Sequence, residues 1–238
     1  MSTFRVAMPL EVRTDWDSRA WRSPAFEPLR DVLSVFESFS VWPSVEQLNA
    51  CLGPHLQAAL GDTAPVFERQ QKPPKRRRQK QLRTVSDLYD GRIFEAGRIP
   101  TRENNWHDFL NACVWAWLPR TKKALSNRQY QAARERLPQS FDALPAYRTR
   151  EQDALALMDE GGVLTSVDGQ STWIFGHAIY EHLLSSSEPV RGFSLLAPSF
   201  NDAETFDRLL AAKLEHRDWP SLGQTPELWV SAVGARQT

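Results

Sequence analysis

The sequence is poor in cysteine and contains no long apolar run. Its 238 residues include two cysteines, Cys51 and Cys113, which argues against a disulfide framework and a cysteine-rich zinc site. No stretch approaches the roughly 18 consecutive apolar residues of a transmembrane helix. Residues 1–15 also lack the apolar segment of a signal peptide. These absences predict a cytoplasmic protein that has no membrane partner.

Several nucleotide-binding and catalytic motifs are also missing. The chain contains no glycine-rich phosphate loop, no GxGxxG and no GxSxG. It has no HExxH either, so a metal cannot be named from a motif. The sequence therefore leaves both the cofactor and the metal open.

Acidic residues are absent from one segment, although the net charge of the chain is zero. No acid lies between Glu68 and Asp87, and the bases there are Arg69, Lys72, Lys75, Arg76, Arg77, Arg78, Lys80 and Arg83. Subtracting these eight from 29 bases leaves 21 against 29 acids elsewhere. The segment therefore carries +8 and the remainder of the chain −8.

Residues 70–81 are predicted to form a mobile basic loop, because their composition lacks an apolar anchor. A run of bases attracts phosphate, so residues 69–83 could bind a phosphate-containing ligand or nucleic acid. The residues predicted to contact nucleic acid are Lys75, Arg76, Arg77, Arg78 and Lys80. The alternative is a solvated arm, or one that pairs with the acidic remainder of the chain.

Apolar periodicity predicts an α+β fold, a mostly helical single domain over residues 1–238 with a small β-sheet or hairpin. The clearest helix is Asn105–Leu118, where Asn105 is the expected N-cap and the run FLNACVWAWL predicts burial on most sides. A hairpin is expected from Ala154–Met158 and Val163–Val167, with a turn at Asp159-Glu160-Gly161-Gly162.

Residues 97–125, GRIPTRENNWHDFLNACVWAWLPRTKKAL, resemble the signature of a bacterial family catalogued as domain of unknown function 3025. The similarity continues at QDALALMDEGGV (152–163) and FGHAIYEHLL (175–184). The chain departs from the pattern at Ala156, where the family has threonine, and after Leu125, where Ser126 stands between the expected leucine and asparagine. The resemblance implies a shared fold and site, but no established activity.

His107, Asp108 and Asn111 share one face of the predicted helix, at i,i+3 and i,i+4 spacing. Asn111 stands in an apolar run, so its amide needs a polar partner. The functional interpretation is a ligand or metal site on a rigid helix. In the structural alternative, Asp108 caps the helix, His107 binds a backbone carbonyl and Asn111 holds a neighbouring loop.

His177 and Glu181 are also spaced i,i+4, on a predicted helix over residues 174–185. They could bind one metal, the carboxylate could orient the imidazole, or they could form a solvent-facing ion pair. Asp153 precedes the first hairpin strand and could point toward the buried helix.

Two classes of function follow from these patterns. The first is an acid/base or metal-dependent hydrolase, with phosphoesters as a candidate substrate, in which these residues converge between two helices. The second is a non-enzymatic module that binds nucleic acid or protein through the basic loop. Imidazoles of His107 and His177 that lie within about 6 Å of each other would favour the first.

Overall fold

The computed structural model describes residues 15–70, 84–136, 148–169, 171–199, 202–220, 227–231 and 234–236. This part of the chain contains eight α-helices and seven β-strands, which confirms the predicted α+β class. None of its helices is long and apolar enough to cross a membrane. The single domain over residues 1–238 stays a prediction.

The basic segment falls largely outside the described residues. Residues 71–83 are not among them, and they include all five residues predicted to contact nucleic acid, Lys75, Arg76, Arg77, Arg78 and Lys80. The loop over residues 70–81 and its phosphate-containing partner therefore stay predictions.

The α-helices are α1 (Arg30–Ser34), α2 (Val45–Leu60), α3 (Tyr89–Ala96), α4 (Trp106–Trp117), α5 (Pro119–Arg134), α6 (Arg150–Gly161), α7 (His177–Ser185) and α8 (Ala203–Leu214). The strands are β1 (Val66–Arg69), β2 (Arg98–Thr101), β3 (Gly162–Ser166), β4 (Thr172–Ile174), β5 (Val190–Ala197), β6 (Glu227–Ser231) and β7 (Gly234–Arg236). Strands β1 and β2 form a parallel pair. The other sheet has the order β4-β3-β5-β6-β7 and is antiparallel except between β3 and β5.

Helix α4 is the central helix of the core, as its sequence predicts. The side chain of Asn105 caps it by accepting a 3.0 Å hydrogen bond from the Asp108 backbone N–H. The helix is buried on most sides by its aromatic and aliphatic residues. Trp106 and Phe109 belong to a cluster of rings that also includes Trp16 and Trp42.

The predicted strand Ala154–Met158 is wrong, because this segment belongs to helix α6. The helix begins with a capping box: the Thr149 hydroxyl accepts from the Gln152 backbone N–H at 3.1 Å, and the Gln152 side chain accepts from the Thr149 backbone N–H at 2.9 Å. Strand β3 follows the helix directly and forms its hairpin with β4 instead. The expected turn over residues 159–162 is therefore the end of α6 and the start of β3.

Helix α5 is fixed against α8 at both ends. The Asp207 carboxylate of α8 accepts backbone N–H groups of Arg120 at 2.9 Å and Thr121 at 2.8 Å. Near the other end of α5, Arg128 donates to backbone carbonyls at and beyond the C-terminus of α8. These contacts hold rigid the helix that carries Lys122.

Candidate metal centre

Two imidazoles meet where α4 packs on α7. The ring centroids of His107 and His177 are 4.4 Å apart, and their Nε2 atoms are separated by 3.0 Å. This is closer than the separation of about 6 Å that would favour a shared site. His177 is fully buried and His107 is partly exposed.

Glu160, in the last turn of α6, brings a carboxylate to the same point. Its Oε2 atom is 3.5 Å from Nε2 of His177, and its Oε1 atom is 4.0 Å from Nε2 of His107. One ligand atom from each of the three residues lies within 4.8 Å of the others. Two imidazole nitrogens and one carboxylate form a ligand set that is common at zinc and non-haem iron centres.

A close backbone contact places His177 against Glu160. Gly176 is the N-cap of α7, and a Cβ atom at this position would lie 2.4 Å from the Glu160 carbonyl oxygen. Any other residue would push α7 away from the end of α6. Glycine therefore permits the approach that brings His177, the first residue of α7, beside the carboxylate.

The hydrogen-bond partners of the two rings determine which nitrogens face each other. Nδ1 of His107 donates to the Glu181 carboxylate at 2.9 Å, so in the neutral ring Nε2 presents a lone pair. His177 is surrounded differently: its buried Nδ1 has no hydrogen-bond partner among the described residues, and Asp159 Oδ1 is 4.0 Å away. At a separation of 3.0 Å, one Nε2 atom carries a proton that the other accepts, or a metal ion lies between them.

The surroundings of the two histidines shift their pKa values in opposite directions. Its hydrogen bond to Glu181 raises the pKa of His107, and the charges of Glu160 and Glu181 add to the effect. Burial lowers the pKa of His177 to about 3, so this ring stays neutral. A metal ion bound to both Nε2 atoms would replace the bridging proton.

A buried polar chain supports the ligands from behind. Lys122 of α5 forms an ion pair with Asp159 and donates to Asn111 Oδ1 at 2.8 Å. The Asn111 amide donates in turn to the Tyr89 hydroxyl at 2.8 Å. The amide that the sequence leaves without an identified partner is therefore satisfied from both sides. Burial would raise the pKa of Asp159, but Lys122 and His177 lower it below its usual value.

The cluster opens into a cleft of about 280 Å³. Its wall combines ligand residues with polar and cationic side chains, among them Gln70, Tyr89, Asp90, Arg102, Gln129 and Arg148. Glu160 faces this space, with 48% of its side chain exposed. A small polar molecule could therefore reach the side of the cluster that the protein leaves open.

The structure groups four of the six predicted catalytic residues into one chain of contacts, His107, Asn111, His177 and Glu181. Asp108 lines the cleft, but its carboxylate accepts from the backbone N–H of Arg102 at 2.6 Å and from the Arg102 guanidinium at 2.7 and 2.9 Å.

Asp153 lies apart from the cluster. It occupies the exposed first turn of α6, about 120° around the helix from Asp159. It does not belong to the described residues that line the cleft. Its expected position, before a strand and directed at the buried helix, followed from the wrong strand assignment.

Sequence reasoning did not assign Glu160 and Asp159 to the cluster, because a turn was expected there. The Thr149–Gln152 capping box was the available signal, since it begins a helix that ends at these two acids. Sequence reasoning did not assign Lys122 to the cluster either. Its signal was its position on an apolar face of α5, four residues after Leu118 and three before Leu125.

The fold and this cluster describe an α+β protein with a two-histidine, one-carboxylate centre. The model of a family described as protein of unknown function (DUF3025) matches residues 77–173. Over these residues the match supports the family that the motifs indicate. It includes His107, Lys122 and Glu160, and it ends before His177 and Glu181. No curated protein and no solved structure matches the chain.

Proposed function

We propose that this protein is a metal-dependent hydrolase that acts on phosphoesters, with one divalent ion bound by His107, Glu160 and His177. The observation that carries the proposal is the convergence of three ligand atoms within 4.8 Å at the wall of a cleft. The contact between His107 and Glu181 supports it, because metal-binding imidazoles commonly donate their other N–H to a carboxylate.

Three protein ligands leave a coordination position for water, which is the arrangement of catalytic zinc sites. A bound ion of this kind lowers the pKa of its water to about 7 and so supplies hydroxide at neutral pH. The protein residues have separate tasks. His107 and His177 would hold the ion, Glu181 orients the His107 ring, Asp159 lies near the His177 ring, and Glu160 lies at the open side.

The cleft offers an anionic substrate the guanidinium of Arg148, since Arg102 is paired with Asp108. Arg102 and Arg148 line it, and a guanidinium matches the geometry of phosphate oxygens. Gln70 and Tyr89, which lie close to the two ends of the basic segment in the sequence, also line the cleft. The eight bases of residues 69–83 are close in sequence to these two residues. Their positive charge would attract a phosphodiester or a phosphomonoester rather than a neutral ester.

The first test is metal content and metal dependence. The purified protein, after chelation and dialysis against Zn²⁺, Mn²⁺ or Fe²⁺, should retain one equivalent of a divalent ion. It should then hydrolyse p-nitrophenyl phosphate or bis(p-nitrophenyl) phosphate. His177→Ala and Glu160→Gln should lose both the ion and the activity. His182→Ala is the matched control, because His182 lies on the same helix but is exposed and contacts the Glu188 carbonyl.

The outcomes separate the possible interpretations. Wild-type protein that retains no ion would refute the metal centre. If the His177→Ala variant retains the ion as well as the wild type does, the ion is bound at another site. If the protein binds iron and reacts with oxygen but hydrolyses no ester, the hydrolase function is refuted. That result would indicate oxygenase chemistry on the same ligand set.

A further inference from the structure

We propose that Asp90 is the proton donor to the leaving group in this cleft, acting opposite the metal-bound water. The proposal rests on the hydrolase function proposed above. It adds a second reactive group to the site, in a position that neither the motifs nor the ligand set indicates.

Asp90 lies in the first turn of α3, and its half-buried side chain lines the same cleft as His107 and Glu160. Asp90 and the two ligand residues line one cleft, whose volume of about 280 Å³ is sufficient for a small ester. One small ester could therefore contact the metal ligands at one end and Asp90 at the other. General acid catalysis requires this arrangement, with the nucleophile and the proton donor on two sides of the reacting phosphorus.

The surroundings of Asp90 differ from those of the other acids in the site. Glu181 binds the His107 imidazole and Asp159 is paired with Lys122, whereas Asp90 accepts a 2.9 Å hydrogen bond from the neutral Ser126 hydroxyl. The Glu181 carboxylate therefore already binds an imidazole, and the Asp159 carboxylate already binds an ammonium group. Of these three acids, Asp90 is the one whose carboxyl group accepts a hydrogen bond from a hydroxyl.

The charges that face Asp90 come from α5 and α6. Burial raises the pKa of Asp90 to about 7, and the Asp159 carboxylate adds to the rise, while the Ser126 hydrogen bond and the Lys122 ammonium oppose it. The group therefore holds its proton up to neutral pH and can release it there, which is the range that suits a general acid.

The chemical step balances as an ordinary hydrolysis. With the ion in place, the oxygen of the attacking water would form a bond to phosphorus, and the bond from phosphorus to the leaving oxygen would break. The proton of Asp90 moves to that oxygen and gives an alcohol. The Asp90 carboxylate recovers a proton from solvent, which receives the proton lost by the attacking water.

The dependence on the leaving group tests this role. An alkyl alkoxide needs a proton as it departs, whereas p-nitrophenolate does not. Asp90→Asn should therefore lower the rate on an alkyl phosphoester by roughly 100-fold or more, and the rate on the p-nitrophenyl ester by less than about fivefold. In the wild type, the alkyl rate should also fall above about pH 7, and the variant should lose that limb. Glu95→Gln is the control on the same helix, since Glu95 binds the Tyr130 hydroxyl.

A second measurement does not depend on turnover. Infrared difference spectra of wild type against Asp90→Asn at pH 5.5 and 8.5 should contain the carbonyl band of a protonated carboxylic acid at the lower pH alone. A carboxylate already ionised at pH 5.5 would overturn the proposal, whatever the activity. Equal losses on both esters would also overturn it. If no ester is hydrolysed while the metal is bound, the hydrolase function fails and the donor role fails with it.

Discussion

Replacing Lys122 by Met should destabilise the protein strongly. The Lys122 side chain is 2% exposed, forms an ion pair with Asp159 and donates to Asn111. Methionine has a similar length and fills the space beside the rings of Trp115 and Phe175, but it provides no charge. The variant would leave a buried carboxylate without its cation and an amide oxygen without its donor.

Removing one partner of a buried ion pair costs about 3–5 kcal/mol. In a chain of this length each kcal/mol shifts the melting temperature by about 2–4 °C, so Lys122→Met should melt roughly 6–20 °C below wild type. Urea unfolding followed by circular dichroism gives the free energy of unfolding directly. The double variant Lys122→Met/Asp159→Asn should recover part of the loss, because it also removes the unpaired charge.

Lys123→Met is the matched control. Lys123 is the neighbouring residue, and its ammonium donates to the Thr63 carbonyl at 2.8 Å near the surface. Its replacement should cost less than about 1 kcal/mol. If Lys122→Met is as mild as this control, the ion pair does not stabilise the fold, and the argument for a rigid support behind His177 is refuted.

Four further predictions concern the centre and the basic segment. Zn²⁺ at 100 times its Kd should add about 2.7 kcal/mol of stability, an effect that Glu160→Gln should largely abolish. The affinity should fall from pH 8 to pH 6, because the raised pKa of His107 favours the competing proton; calorimetry that finds no pH dependence would contradict this. Gly176→Ala should lose the ion while keeping its helical circular dichroism, because the added Cβ would displace α7 from Glu160. If the variant binds the ion as wild type does, the close backbone contact is not needed to position the ligands. Replacing the three arginines at 76–78 by Ala should flatten the log–log salt slope of duplex DNA binding by about 2–3 units, and no binding at low salt would remove the nucleic-acid hypothesis.

Local rules were sufficient to predict α4. Asn105 supplies a cap, the apolar run supplies the buried faces, and the i,i+4 spacing puts His107 and Asn111 on one side. The same spacing placed His177 and Glu181 on one helix, α7, but the Glu181 carboxylate binds His107 and not His177. What local rules could not give was the packing of α4 on α7, which depends on contacts between residues about 70 apart in sequence.

The error at α6 has a local cause. Leu155, Leu164 and their apolar neighbours fit a strand pattern on each side of two glycines, and glycine pairs often mark turns. The Thr149–Gln152 capping box favoured a helix over the same residues, and the helix formed. Correcting this one assignment changes the site, because it turns a solvent-facing turn into the end of a helix that packs on α7.

The position of two adjacent acids on that helix also explains why their roles differ. Asp159 and Glu160 are about 100° apart around α6. Asp159 turns toward the buried Lys122 and keeps 15% of its side chain exposed, whereas Glu160 turns toward the cleft and keeps 48% exposed. Paired with a buried cation, Asp159 is held as a fixed charge that supports His177. Glu160 faces the two imidazoles at the edge of the cleft, where it would be available to a metal ion, so one helix end would supply both the ligand and its support.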